Sequence, residues 1–359
     1  MRVAIVTSFF PPDRVAGAEL GALFMARHFR DLGHDVHMVI TRPADRRRSA
    51  LEERDGIKVH WLTGPRPRGL AFLFEVREAL SVLRELKPDA VNGNCLLPGG
   101  LAAYLATKKR GRGSVLCYGY DVTDMKGIVG LIGSWTLKKI PHLGVATRYC
   151  QSIVKERSGG REGNICLAGC DEKVFPHLPY RQPQEQVQLL FIGRLIPEKG
   201  FDFLLKLMTK LPAHYHLQVA GGGDLLSGYE KKTKAMGLGE RVKFLGLVPN
   251  GELSGILSRS DAFILPSFRE PFGVVCIEAI LSGVPVVCSD VMGLPEAVED
   301  GKNGLVVKGR ESEDWLGAIK KVVEDEAFRQ QIHERGGELR EHWSWSTRLR
   351  DMEALILGK

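Results

Sequence analysis

Short runs of β-branched and other apolar residues alternate with longer helical patterns along almost the whole chain. Some runs, such as AFILP at 262–266 and VPVV at 284–287, are apolar without alternation, which is typical of parallel strands buried on both faces of a sheet. Strands that alternate with helices indicate βαβ units and doubly wound sheets. We predict strands at residues 2–8, 35–42, 57–63, 90–93, 115–119, 142–147, 164–168, 188–193, 215–220, 242–246, 262–266, 285–288 and 304–308.

The strand and helix series occurs twice, and a polar, proline-rich segment at 176–186 separates the two halves. We interpret this segment as a linker. A chain of 359 residues is long enough for two domains of ordinary size. We therefore predict an α/β protein with two doubly wound Rossmann-like domains that face each other across a cleft. The first comprises residues 1–177, the second residues 178–344, and the C-terminal helix at 345–359 packs back on the first.

The composition is that of a globular protein, with 44% hydrophobic and 26% charged residues. The opening MRVAIVTSFFPP has too short an apolar run for a signal peptide, and no stretch approaches the roughly 20 apolar residues of a membrane-spanning helix. The seven cysteines are scattered without a C-x-x-C pair, which indicates reduced thiols. We expect a cytoplasmic protein in which Cys166 and Cys170, the closest pair, are buried structural residues.

Positive charge is concentrated in the first half of the chain. Residues 1–180 contain 27 Lys and Arg against 18 Asp and Glu, whereas the remaining residues contain 23 against 25. This asymmetry indicates either an anionic partner or a solvated basic face. The basic residues are not interleaved with aromatic ones and no nucleic-acid motif is present, so we do not expect a nucleic acid as partner. An anionic membrane surface fits the charge equally well.

One stretch of the first half combines apolar and basic residues. KGIVGLIGSWTLKK at 126–139 has eleven uncharged residues between lysines, which is too short to span a bilayer, and it includes Trp135, a residue type common at membrane interfaces. Arg46 to Arg48 and KKRGR at 108–112 add charge to the same domain. Two interpretations stay open. The stretch is a core helix, or it helps the domain to dock peripherally on the inner membrane face, where a lipid-linked acceptor is located.

Polar and glycine-rich residues follow the predicted strands, at the sheet edge where open α/β sheets bind ligands. Arg194 and Lys199 flank a short turn after strand 188–193, and both side chains are phosphate ligands. GGGD at 221–224 follows strand 215–220. The convergence of these signals at one edge carries more weight than any one of them.

Two carboxylates, Glu270 and Glu278, stand on either side of Gly273 in FREPFGVVCIEAILSGVPVVCSD. Apolar residues recur at helical spacing after this glycine, which predicts a helix over 272–282 that ends before Gly283. A phosphate can approach the free amides at such a helix start, and an acid farther along can bind ribose hydroxyls. The alternative is that Glu278 is an exposed helix residue and Glu270 a first-turn acid that favours the helix dipole.

In these segments the chain resembles the retaining glycosyltransferases of family 4, which have the glycosyltransferase-B fold. The resemblance extends over nearly the full length. Its strongest parts are FIGRLIPEKG, VAGGGD, VKFLGLVPNGEL, DAFILPSFREPFGVVCIEAILSGVPVVCSDVMGLPEAVEDGKNGLVV and HWSWSTRL.

The resemblance implies transfer of a sugar from a nucleotide donor with retention at the anomeric carbon, without a metal or other cofactor. Arg194 and Lys199 would hold the donor diphosphate, Glu278 the ribose, and Glu270 would lie by the transferred sugar. We therefore take Glu270, Arg194, Lys199 and Asp121 as catalytic candidates. Leu247 and Val248 would lie near the base, and Gly17 would approach the donor phosphate or the acceptor. The remaining donor-binding candidates are Gly221 and the backbone of Phe272, Gly273 and Val274, which would meet the phosphate and the sugar.

The chain departs from the family pattern at three places. The common His-Gly-x-Asp is here Tyr118-Gly119-Tyr120-Asp121, so that the acid is kept and Tyr118 stands where a histidine often points at the donor sugar. Asn92 and Asn94 lie in a segment that often carries histidine, and the usual Gly-Gly is Ala16-Gly17. Tyr118 is either close to the sugar or a half-buried tyrosine at a strand end.

Two fixed cations make a bound metal dispensable, and the sequence has no D-x-D signature. We expect a UDP-sugar as donor, with GDP-sugar as the alternative, and a glycan, lipid-linked or small-molecule acceptor. A sugar-nucleotide epimerase and a non-catalytic nucleotide-sugar-binding subunit remain alternatives. An NAD-dependent dehydrogenase is disfavoured because SFFPPDRVAG, and not G-x-G-x-x-G, follows the first strand.

Overall fold

The computed structural model describes residues 1–10, 17–43, 51–64, 71–182 and 184–358. The chain divides into two units, residues 1–169 with 345–359, and residues 170–344. The second unit starts eight residues before the predicted boundary. The reason is that the amide of Cys170 donates to the carbonyl of Trp343 at 2.7 Å, which ties the start of this unit to its end.

The sheet of the first unit has eight strands in the order β3-β4-β2-β1-β5-β6-β7-β8. All neighbouring pairs are parallel except β3 with β4. The strands are β1 Arg2–Thr7, β2 Asp35–Ile40, β3 Leu51–Arg54, β4 Ile57–Trp61, β5 Ala90–Gly93, β6 Gly113–Cys117, β7 His142–Val145 and β8 Asn164–Ile165. The seven strands predicted for this half are all present. The antiparallel edge strand β3 was not predicted, because LEER lacks an apolar pattern and its burial only alternates between exposed and half-buried.

Helices cover this sheet because they bury apolar faces against it. They are α1 Gly17–Asp31, α2 Ala71–Leu86, α3 Leu101–Thr107, α4 Tyr120–Thr123, α5 Gly127–Lys139, α6 Arg148–Ser158 and the C-terminal α15 Trp345–Leu357. The C-terminal helix packs on α1, where the rings of Phe24 and Trp345 stack with centroids 4.8 Å apart.

The second unit has a six-stranded sheet in which all neighbouring pairs are parallel, in the order β11-β10-β9-β12-β13-β14. The strands are β9 Val187–Ile192, β10 Tyr215–Ala220, β11 Val242–Gly246, β12 Ala262–Leu265, β13 Val286–Ser289 and β14 Leu305–Val307. The chain builds outward from β9 to β11 and then returns to place β12 on the other side of β9. The strand order therefore reverses between β9 and β12, and such a switch point is where doubly wound sheets bind ligands.

All six strands predicted for the second half are present, and the doubly wound α/β fold is confirmed. The helices of this unit are α7 Phe201–Lys210, α8 Leu226–Ala235, α9 Leu253–Leu257, α10 Val274–Leu281, α11 Leu294–Ala297, α12 Ser312–Glu324, α13 Glu326–Glu338 and α14 Arg340–Trp343. All seven cysteines are free thiols, and Cys166 and Cys170 are buried as predicted. Across the described ranges, no helix combines the length and the apolar content that crossing a bilayer requires.

Candidate active site

The loops that follow β9 and β12 lie against each other at the switch point of the second unit. The backbone amides of Phe268 and Arg269 donate to the carbonyl of Glu198 at 2.7 and 3.3 Å. Gly200 has a φ of 68°, and a Cβ at this position would lie only 1.9 Å from the carbonyl oxygen of Pro266. Only glycine therefore allows the two loops to approach so closely.

Lys199 and Glu270 meet where these loops touch. Lys199 ends a short 3₁₀ helix, Pro197–Lys199, and its Nζ donates to Oε2 of Glu270. The two side chains are only 13% and 11% exposed, so the ion pair is largely removed from water. Such a pair holds the lysine ammonium at a fixed place, and the lysine remains able to bind an anion that reaches it from solvent.

Arg194 lies two residues after the end of β9 and belongs to the same turn as Lys199. It is exposed, and its side chain has no hydrogen-bond or ion-pair partner among the residues that the structure describes. A Cβ placed on Gly193 would lie 4.0 Å from Cδ of Lys199, so the lysine side chain runs past the residue that precedes Arg194. The turn therefore presents two cations at one edge of the sheet.

The start of α10 adjoins this cationic turn. The helix begins at Val274 and not at 272 as predicted, because Gly273 is left-handed with a φ of 84° and interrupts the helical backbone. A Cβ on Gly273 would lie 2.4 Å from Cδ2 of Leu294 and 3.5 Å from Cγ of Glu270. The first amides of a helix lack partners within it, so the start of α10, next to Glu270, is a place where an anion can bind.

Phe272 and Val274 flank this glycine differently. Phe272 is buried, and its ring packs 5.7 Å from that of Trp343, whereas Val274 is half-buried. Phe272 therefore anchors the loop before α10 through its side chain.

Glu278 is the buried acid of α10. Glu278 is only 6% exposed, and this burial raises the pKa of its carboxyl group to about 7. The described part of the chain offers its carboxyl group no hydrogen-bond or ion-pair partner. The alternative of an exposed helix residue is therefore wrong. A buried carboxyl group without partners costs stability, and such groups are concentrated at functional sites.

The glycines after β10 join a third loop to the same edge. A Cβ on Gly221 would lie 1.9 Å from the carbonyl oxygen of Gly193, and the amide of Gly221 donates to the carbonyl of Gly246 at 2.8 Å. The loops that follow β9, β10 and β11 are thus held together by main-chain contacts that leave no room for side chains.

Leu247 and Val248 follow β11 at this edge. Leu247 is exposed although it is a large apolar residue, and a Cβ on Gly222 would lie 2.9 Å from its Cγ. Val248 is half-buried. An exposed leucine beside a glycine backbone provides an apolar surface on which a planar group such as a nucleobase can lie.

Arg310 supports the loop after β12 and was not identified from the sequence. Its Nη1 and Nη2 donate to the carbonyls of Pro266 and Ser267 at 2.7 and 2.6 Å, and its guanidinium lies 4.1 Å from the ring centroid of Phe268. Its position shortly after β14 was the only available signal, since its partners are main-chain carbonyls that no sequence pattern marks.

The first unit places Asp121 in a supporting role. Its Oδ1 accepts from the amides of Tyr118 and Gly119, and its Oδ2 accepts from the amide of Leu96, each at 3.0 Å. These contacts fasten the loop after β6 to the turn after β5. They make Asp121 a positioning residue, and they provide no support for its candidacy as a catalytic one.

Tyr118 and Asn94, two of the departures from the family pattern, are bonded to each other. The hydroxyl of Tyr118 donates to Oδ1 of Asn94 at 2.7 Å, and Nδ2 of Asn94 donates to the carbonyl of Ala18 at 2.9 Å. Burial raises the pKa of Tyr118 well above its ordinary value, so the hydroxyl stays protonated. Asn92 accepts instead from the buried hydroxyl of Ser114 at 3.0 Å and is a core residue. Gly17 is the first residue of α1, whereas Ala16 lies outside the described residues.

Two protein-family models match the chain. The model of the glycosyl transferases group 1 matches residues 178–339, and that of the glycosyl transferase 4-like domain matches residues 16–143. The D-inositol 3-phosphate glycosyltransferase of Corynebacterium diphtheriae is 31% identical over 176 residues, which are 46% of this chain and 41% of that protein. The chain spans half or less of the length of the curated relatives it matches.

Solved structures resemble the chain over its whole length. Sucrose-phosphate synthase from Thermosynechococcus elongatus superimposes with a TM-score of 0.85 at 20% identity, covering 99% of this chain and 98% of that one. The Anabaena protein HepE in complex with UDP-glucose gives a TM-score of 0.77 at 19% identity, covering 99% of both chains. Likeness at this identity shows a shared fold. Together with the two family models, it shows that the chain belongs to the glycosyltransferases of family 4 type and has the glycosyltransferase-B fold.

Proposed function

We propose that the protein transfers a sugar from a nucleotide-diphosphate donor to an acceptor hydroxyl, with retention of configuration at the anomeric carbon. The observation that carries the proposal is the meeting of Lys199 and Glu270 beside the start of α10, at the switch point of the second sheet. A cation, an acid and free helix amides at this place are what binding a sugar diphosphate requires.

The donor diphosphate binds at the two cations of the turn after β9. The Arg194 side chain has no partner to lose among the described residues, and Lys199 is already held in position by Glu270. The free amides of α10 add hydrogen-bond donors to the same phosphate oxygens. Cations and amides that are fixed before the ligand arrives stabilise negative charge without the cost of rearrangement.

The nucleoside extends from there toward the buried acid. The ribose hydroxyls donate to the carboxylate of Glu278, which has no hydrogen-bond partner among the described residues. The base lies over Leu247 and the glycine backbone after β10.

The reaction follows from the charges at this place. The bond between the anomeric carbon and the diphosphate breaks, leaving positive charge on the sugar and an additional negative charge on the diphosphate. Arg194, Lys199 and the helix amides stabilise the leaving group, and Glu270 stabilises the sugar cation. The acceptor hydroxyl attacks the same face and gives its proton to the departing phosphate oxygen. The acceptor proton is thus accounted for, and the step involves no change of oxidation state. Arg194 and Lys199 stabilise the negative charge that a bound metal ion stabilises in other enzymes.

UDP is the nucleotide that we propose for the donor. The support is limited to the fold, because HepE, which is structurally similar, is described in complexes with UDP and UDP-glucose. The acceptor that we propose is a glycan, lipid-linked or small molecule.

A donor screen tests the proposal. The protein is incubated with UDP-sugars and GDP-sugars, with UDP, GDP and NAD(H) in parallel, and stabilisation and hydrolysis are measured. We expect thermal stabilisation by UDP and slow release of UDP from one donor. Interconversion of two sugar nucleotides without release of UDP would indicate an epimerase. Binding without turnover over a broad acceptor panel would indicate a binding subunit.

A further inference from the structure

Helix α5 has an apolar face that is exposed in the part of the chain that the structure describes. Ile128, Leu131 and Trp135 are 70%, 73% and 43% exposed. Their spacing of three and four residues places them on one side of the helix. The residues that α5 buries lie on the opposite side: Gly130, Gly133, Thr136 and Leu137. The interpretation as a core helix therefore explains only half of α5.

The face continues onto the neighbouring helix. The ring of Trp135 meets that of Tyr104 in α3 edge-on, with centroids 5.3 Å apart. Single exposed apolar residues are ordinary, whereas a contiguous group that includes tryptophan marks an interaction site more often. We call Ile128, Leu131, Trp135 and Tyr104 the α5 face.

Exposed lysines border the α5 face. Lys138 and Lys139 end α5, about one turn after Trp135, and both are exposed. Lys108 stands one turn after Tyr104 at the end of α3, and Lys109 follows it, again exposed. Asp124 is the exposed acid that precedes α5. Arg46 to Arg48, which we also expect to contribute positive charge to this domain, lie outside the described residues.

We propose that the α5 face and its four lysines dock on the surface of an anionic lipid bilayer. Isoleucine, leucine and tryptophan enter the boundary between headgroups and acyl chains, and the lysines remain at the level of the anionic headgroups. The helix has 13 residues and lies parallel to the membrane without crossing it.

A second copy of the chain is a poorer occupant than a bilayer. A two-fold symmetric contact would bring the lysine rim of one copy against that of the other. The α5 face also offers four apolar residues, whereas a stable protein interface uses about 20–30 residues on each side. A bilayer needs no shape complementarity and provides the opposite charge.

This proposal rests on the surface of the first unit alone. It does not depend on the donor site, so lack of vesicle binding would leave the proposed transfer reaction standing, and lack of donor binding would leave the docking surface standing.

Co-sedimentation with vesicles tests it. The full chain is mixed with vesicles of phosphatidylcholine alone or with about 30% phosphatidylglycerol, at about 50 and about 500 mM NaCl. We expect binding to the anionic vesicles at low salt and much weaker binding in the other three conditions. Replacing Lys108, Lys109, Lys138 and Lys139 by Gln should weaken binding by about 10²-fold or more, since each of the four basic residues contributes about fivefold.

Matched variants test whether vesicle binding depends on the α5 face itself or only on the number of exposed apolar or basic residues. I128S/L131S/W135S should lose binding by about tenfold or more, whereas L32S/L51S/L73S, which changes three exposed leucines of the same unit, should bind like the parent. Replacement of Lys231, Lys234, Lys243 and Lys308 by Gln removes four exposed lysines of the second unit and should also leave binding unchanged. Thermal melts establish that each variant is folded.

Tryptophan fluorescence provides a second readout. Of the five tryptophans, Trp61, Trp315, Trp343 and Trp345 are buried and Trp135 is exposed. Brominated lipids should therefore quench the fluorescence of the parent on binding, and they should quench W135F much less although it still sediments. No binding to anionic vesicles at low salt, or equal binding by I128S/L131S/W135S, would overturn the proposal. If the parent does not bind vesicles but self-associates, and I128S/L131S/W135S does not self-associate, the α5 face binds a second copy of the chain.

Discussion

Nζ of Lys199 donates to Oε2 of Glu270 although the two residues are 71 positions apart in the sequence. The ion pair joins the loop after β9 to the loop after β12, at the point where the strand order of the second sheet reverses. Both side chains are largely removed from water, so each carries a charge that needs the other. We expect the pair to have both a structural role and a chemical role, and substitutions at the two residues can separate them.

Breaking the pair from one side should destabilise the second unit. Lys199→Met leaves the carboxylate of Glu270 buried without its cation, which costs about 3–5 kcal/mol in the free energy of unfolding. The double variant Lys199→Met/Glu270→Gln removes both charges and should regain much of that loss. Urea unfolding of the parent, both single variants and the double variant measures the coupling. Single losses below about 1 kcal/mol that simply add would show that the pair is not a buried ion pair.

Arg194 should matter for the ligand and not for the fold. Because it is exposed and has no partner in the described part of the chain, Arg194→Ala should change the free energy of unfolding by less than about 0.5 kcal/mol. Loss of its contact with the leaving diphosphate should lower donor turnover by about 10²–10³. Arg259→Ala, at another exposed arginine of the same unit, is the control and should turn over donor like the parent. Turnover of Arg194→Ala within about threefold of the parent would remove Arg194 from the site.

Glu278 should make the protein less stable as the pH rises. Its pKa in the folded chain is about 7, above the ordinary value of 4.5, because burial disfavours the charged form. Its contribution to stability is therefore fully present below about pH 4.5 and is lost as the pH rises through about 7, a loss of roughly 3 kcal/mol. Glu278→Gln does not titrate, so its stability relative to the parent should increase between pH 5 and pH 8. A constant difference over this range would contradict the burial of the acid.

The same acid should make UDP binding depend on pH. Ribose hydroxyls donate to the ionised carboxylate, so the ligand favours the charged form, and UDP affinity of the parent should rise as the pH passes through about 7. Calorimetric titrations between pH 5.5 and 8.5 measure this. UDP also titrates in this range, and Glu278→Gln, measured in the same series, accounts for that contribution. Identical pH profiles for the two proteins would mean that Glu278 does not bind the ribose.

Gly200 should be sensitive to a single methyl group. Gly200→Ala places a Cβ against the carbonyl of Pro266 and separates the loops that hold Lys199 and Glu270. Gly237→Ala is the matched control, because Gly237 has a similar φ of 72° and no atom within 4 Å of the added Cβ. Both variants incur the left-handed strain of about 1–2 kcal/mol, but only Gly200→Ala should lose further stability and UDP affinity. Equal effects in melts and UDP titrations would show that the contact between the loops is not needed.

The order of strands and helices was predictable because buried parallel strands are marked by apolar runs. The edge strand β3 was missed because only its pairing with β4 defines it. The Asp55-Gly56 turn between them, with φ of 53° and 70°, was nevertheless a readable hairpin signal. The start of the second unit was misplaced because a main-chain hydrogen bond between Cys170 and Trp343 determines it.

The positions of the charged residues in the candidate site were predictable, since these residues follow strands that end at one sheet edge. The residues that they contact were not predictable. The sequence does not show that Lys199 pairs with Glu270, that Tyr118 bonds to Asn94, or that Asp121 accepts from three backbone amides. Arg310 was missed for the same reason, because its partners are carbonyls of a loop 44 and 43 residues earlier.

The anomeric configuration of the released sugar decides whether the protein is a retaining transferase. The donor that the screen identifies, an α-linked UDP-sugar, is incubated with the protein, and proton NMR follows the product before its anomers interconvert. We expect equimolar UDP and a product that forms first as the α anomer, at a rate that Arg194→Ala lowers and Arg259→Ala does not. A product that forms first as the β anomer, or a folded protein that releases nucleotide from none of the donors, would contradict it.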